Sequence, residues 1–123
     1  MTPQNEEIKD TIKEFVDALY TAFPHYTQLL EIRMALELGV LKESEFDEIV
    51  VQFTALYKKH KKQFDAKDHD YFVKLDFTRI LPPAIHEHIP FIDSILRELN
   101  PQEKDAVWEY IEALINISLW TSP

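Results

Sequence analysis

The chain has 123 residues, 46% of them apolar, with eight Phe, five Tyr and two Trp but no Cys. That length and apolar content suit one domain, residues 1–123, with its own core; they argue against global disorder, and disulfides, thiolate metal sites and cysteine nucleophiles are excluded. The formal charge of −9 opposes generic nucleic-acid binding.

The elements read as helices from end to end. A single glycine, Gly39, leaves little material for the positive-φ turns of an all-β fold. The first helix is expected over about residues 3–23, with Thr2 as its cap, Pro3 in the first position and Ile8, Ile12, Phe15, Val16, Leu19 and Phe23 on one stripe. Pro24 breaks it. A second helix over about 25–38 is apolar around much of its circumference and reads as well buried; Gly39 fits its left-handed C-terminal position. A third spans about 45–63, capped by Ser44 with Asp47 as a short-armed capping-box partner, and ends in Lys58-Lys59-His60-Lys61-Lys62. A loop follows over Asp65–Asp70.

Asp68 caps a fourth helix over about 69–80, which Pro82-Pro83 stops. Pro90 divides the next stretch and leaves a short helix at about 90–98. Asn100, Pro101 and Glu103 then start a last helix that runs to about Trp120. The fold class is all-α, a compact bundle of about five to seven helices.

No apolar run approaches the roughly 20 residues of a membrane span. The start Met1-Thr2-Pro3-Gln4-Asn5-Glu6-Glu7 lacks the basic and apolar segments of a signal peptide. The expected setting is cytoplasmic or nuclear, without membrane attachment.

Candidate chemistry is sparse. His86 and His88 are two apart, so on a helix they diverge, and no His pair has the spacing of a metal-binding helix face. The histidines therefore read as surface or capping residues, and no metal or cofactor is expected. Asp76 reads as a helix-surface carboxylate paired with Arg79. No nucleophile elbow, phosphate loop or dinucleotide fingerprint is present, so an enzyme is the third reading and no catalytic residue is assigned.

The charge is uneven: residues 51–80 hold seven basic and four acidic side chains between acidic flanks. Lys58, Lys59, Lys61 and Lys62 could contact phosphates, which gives a nucleic-acid or phosphate-binding alternative. Solvated lysines that complement a helix dipole are the favoured account of this island.

The last helix carries the leading reading. Only Asp105, Glu109, Glu112 and Asn116 form a polar stripe; most of the remaining circumference is apolar. Trp108, Ile111, Ile115 and Leu119 share one face, and Trp120 lies near the chain end. Such a helix is either central in the core or covered by another chain. The expected function is non-catalytic protein–protein association, extending to self-association through Trp108, Ile111, Ile115, Leu119 and Trp120.

The segments Ile89-Pro90-Phe91-Ile92 and Leu99-Asn100-Pro101-Gln102-Glu103-Lys104-Asp105-Ala106-Val107-Trp108-Glu109-Tyr110-Ile111-Glu112-Ala113-Leu114 resemble the C-terminal part of small helical proteins of large nucleocytoplasmic DNA viruses. Those proteins share a short apolar Ile-Pro segment, a polar turn with a Lys and a Trp-x-Tyr helix. The resemblance implies an infected-cell or virion protein with a binding role, and it assigns no site residues.

Overall fold

Residues 1–120 are described by a computed structural model. Among them the chain forms seven α-helices and no strand: α1 Pro3–Ala22, α2 Gln28–Glu37, α3 Glu43–Lys59, α4 Lys61–Asp65, α5 His69–Val73, α6 Ile89–Glu98 and α7 Pro101–Ser118. Two 3-10 segments, Phe77–Arg79 and Pro83–His88, connect α5 to α6. None of these helices is long and apolar enough to cross a membrane.

Helix ends with strong local chemistry lie where the sequence predicts them. The Thr2 side chain accepts from the Asn5 N–H, and Pro3 opens α1. At α7, Asn100 accepts from the Glu103 N–H at 2.8 Å while Glu103 accepts from the Asn100 N–H at 2.9 Å, a complete capping box. Gly39 has φ +74°, and the Val40 N–H reaches back to the Ala35 carbonyl, closing α2 with a Schellman turn.

Four expectations are corrected. Helix α2 begins at Gln28 rather than 25. Helix α3 starts after Lys42, whose N–H donates to the Glu45 side chain at 3.0 Å, so Ser44 lies inside the helix and Glu45 replaces Asp47 as the box partner. Asp47 turns instead to α1, where it accepts from Asn5 Nδ2 at 2.7 Å. The lysine-rich run is broken at His60 (φ −125°, ψ 39°), which splits it between α3 and α4. The fourth predicted helix stops at Val73, because the Asp76 side chain accepts from the Thr78 N–H and starts a new 3-10 turn.

One apolar core draws on every α-helix. Helix α1 packs most extensively on α2 and α7, and α7 packs also on α3. Asn5, fully buried, links α1 to α3 by donating from Nδ2 to both Glu43 (2.9 Å) and Asp47. Beside it in the first turn of α1, Gln4 Nε2 donates to the Ile117 carbonyl at 2.8 Å, and the Thr54 hydroxyl of α3 donates to the Ser118 carbonyl at 3.2 Å. The last turn of α7 is therefore held by both α1 and α3.

Candidate functional site

The C-terminal helix resolves in favour of the core. Trp108 is 2% exposed, and Ile111 and Ile115 are buried with it. Trp108 lies among Phe64, at 6.2 Å between ring centroids, and Phe72, at 5.4 Å. Its neighbouring face is equally engaged: Val107, Leu114 and Ile117 are buried, and Tyr110 stacks on Phe15 at 5.1 Å. Trp108, Ile111 and Ile115 are thus corrected from interface candidates to core residues, because helices on both sides of α7 cover them. Leu119 packs partly against the core. Trp120 alone of the five stays open, at 49% exposure.

The exposed apolar surface lies elsewhere, on α2. Leu30, Met34 and Leu38 recur every four residues and are 42%, 58% and 77% exposed, with Val40 exposed just beyond the Schellman turn. The opposite side of α2 places Leu29, Ile32 and Leu36 in the core. Leu30 to Leu38 spans about 12 Å at the helical rise. This overturns the sequence reading of α2 as well buried: both of its faces are apolar, and only one faces inward.

The charges around this stripe are mostly acidic. Arg33 is held by Asp17 at 2.8 Å and Glu37 at 2.7 Å, so its charge is shared between two carboxylates. Glu31 is a further exposed carboxylate on the same helix. Residues 1–50, which include α1 and α2, hold four basic and eleven acidic side chains.

The four lysines, all exposed, straddle the break at His60: Lys58 and Lys59 end α3, whereas Lys61 and Lys62 open α4. The first pair lies at the favourable end of a helix dipole and the second at the unfavourable end, against the expectation that one helix terminus accommodates all four. The bracketing aromatics face inward: Phe64 is buried and meets Tyr57 edge-on at 6.1 Å, and Tyr57 donates its hydroxyl to Asp65.

The histidines act as clips. His69 Nε2 and His86 Nε2 lie 2.7 Å from the Leu96 and Leu81 carbonyls; a carbonyl only accepts, so each nitrogen carries the proton. His88 is buried beside Glu87. Among the described residues no three His or carboxylate side chains gather in a ligand set. Asp76, with Arg79 at 3.5 Å, has its carboxyl held below the usual range, chiefly by the Thr78 hydroxyl.

A second feature that sequence reasoning missed is internal. A cavity of about 120 Å³ lies at the centre of the bundle, and all nineteen side chains lining it are apolar. They come from α1, α2, α3, α5, α6, α7, both 3-10 segments and, for Leu41, Ile80 and Leu81, the connections between elements. A void of that size withholds about 3 kcal/mol of packing stabilisation. Sequence spacing locates apolar faces but not how completely their side chains fill the space between them, so nothing in the sequence signals it.

No family model, curated protein or solved structure matches the chain.

Proposed function

We propose that the protein is a non-catalytic binding protein that docks an amphipathic helix of a protein partner on the outer face of α2. The observation that carries this reading is the Leu30–Met34–Leu38 stripe. Three large apolar side chains at one-turn spacing on a solvent face are a characteristic helix-docking surface. The acidic surroundings select the occupant: basic residues flanking its apolar stripe meet Asp17, Glu31 and Glu37. Self-association through the C-terminal helix has weaker support, because the surface remaining there is Trp120 and part of Leu119. The resemblance of residues 89–92 and 99–114 to small viral helical proteins adds an infected-cell or virion setting to this reading.

The test uses two labelled helical peptides with one Leu stripe and either Lys or Glu on its flanks. Fluorescence anisotropy is expected to show at least tenfold tighter binding of the Lys peptide, weakened by salt. Met34→Glu combined with Leu38→Ser is expected to abolish the binding with little change in Tm, because both side chains are exposed. Equal binding of the two peptides, or retention by the double variant, would overturn the proposal. Sedimentation of the free protein covers the other occupant: a dimer dispersed by the same substitutions would assign the face to a second copy.

A further inference from the structure

We infer that the central cavity is a binding site for a small hydrocarbon group, a single aromatic ring or a short alkyl chain. The inference is independent of the α2 docking face: it concerns the inner side of that helix, where Leu29, Ile32 and Leu36 line the space. Three observations carry it. The volume, about 120 Å³, approaches the roughly 150 Å³ of an engineered apolar cavity that stays dry and takes up benzene or xenon. The wall presents no polar side chain, and a water molecule needs two to four polar partners, so water is a poor occupant. The same wall offers nothing to a hydroxyl, amine or carboxylate, so the part of the ligand inside must be hydrocarbon.

The structure also supplies a route. Most of the wall belongs to long helices, but Phe77, Ile80, Leu81 and Ile85 come from the stretch between α5 and α6, built of short 3-10 turns. Such turns have poorer hydrogen-bond geometry than α-helix and open locally at lower cost. Leu81 and Ile92 on this side are only half-buried. Local opening of this stretch admits a ring or chain end while the long helices stay packed.

Two sources share this chemistry, a free hydrocarbon and the tail of a fatty acid whose carboxylate stays outside. Toluene, phenol and octanoate separate them. Toluene is expected to raise Tm by about 4 °C at ten times its Kd and to perturb the NMR methyl signals of Ile80, Ile85, Ile111 and Leu114. Phenol, of the same size but with a hydroxyl that finds no partner, is expected to bind at least tenfold more weakly. Octanoate that competes with toluene assigns an acyl tail; octanoate that does not compete assigns a free hydrocarbon.

Ile111→Phe is expected to fill the space and remove the toluene effect. Val16→Leu, a smaller change on the same wall, is the companion variant should Ile111→Phe fail to fold, and it is expected to weaken toluene binding at least threefold. The inference is overturned if wild type shows neither a Tm rise nor methyl shifts in toluene-saturated buffer. It is equally overturned if toluene perturbs only Leu30 and Leu38 on the outer face of α2, if phenol binds as tightly as toluene, or if a folded variant binds toluene as wild type does.

Discussion

Single residues fix two of the junctions in this fold. Gly39 ends α2 at φ +74°, and a Cβ placed there meets nothing within 4 Å. A substitution at this position is therefore a test of backbone strain alone. Gly39→Ala should destabilise the protein by about 1 kcal/mol in chemical denaturation, and Gly39→Asn by less, because Asn tolerates the left-handed region. Asn5 is the second junction. The Glu43 carboxyl is held below its ordinary range first by the Thr2 N–H and then by the Asn5 side chain. A carboxyl depressed in the folded state adds stability above its unfolded pKa, near 4.3, and that contribution is lost as pH falls through the folded value. Glu43→Gln should flatten this acid dependence. Asn5→Leu should move the Glu43 midpoint back towards its ordinary value, read directly from the side-chain carboxyl by NMR titration.

At the scale of elements, the chain was legible where a boundary has its own chemistry. Thr2-Pro3, Gly39 and Asn100-Pro101 with Glu103 each mark an end within a residue or two. The break at His60 was not legible, because no Pro or Gly stands there and the lysines on both sides favour helix. The stretch from Lys74 to His88 carries apolar residues at mixed spacing, and competition from the Asp76 side chain decided its conformation. The candidate site was the least legible. Apolar residues that face a partner and those that face the core have the same chemistry, so α2 read as buried and α7 as either core or partner surface; the packing opens one face of α2 and places most of α7 in the core. This packing predicts an asymmetry between the two tryptophans. Trp108→Ala should cost about 3–5 kcal/mol, whereas Trp120→Ala, half exposed, should stay within about 0.5 kcal/mol in the same denaturation measurement.

Across the whole molecule, the central void and the exposed stripe share one helix. Leu36 faces the cavity and Leu38 faces outward. Ligand that fills the void would stiffen the inner side of α2 and so reduce the ordering that a docked helix must impose on it. Peptide affinity measured with and without toluene should rise together with cavity occupancy; an affinity indifferent to toluene would show that the two faces act separately.

The packing of α1 against α7 also sets an order of events during translation. Synthesis of helix α1 ends about eighty residues before that of α7 begins, an interval of about 4–16 s at ordinary elongation rates. Its neighbour α2 arrives early, but the groove between Phe15 and Phe23 waits for Leu99, Val107 and Tyr110. For those seconds the nascent chain presents an uncovered apolar helix face, so holdase chaperones would act on it before α7 is made.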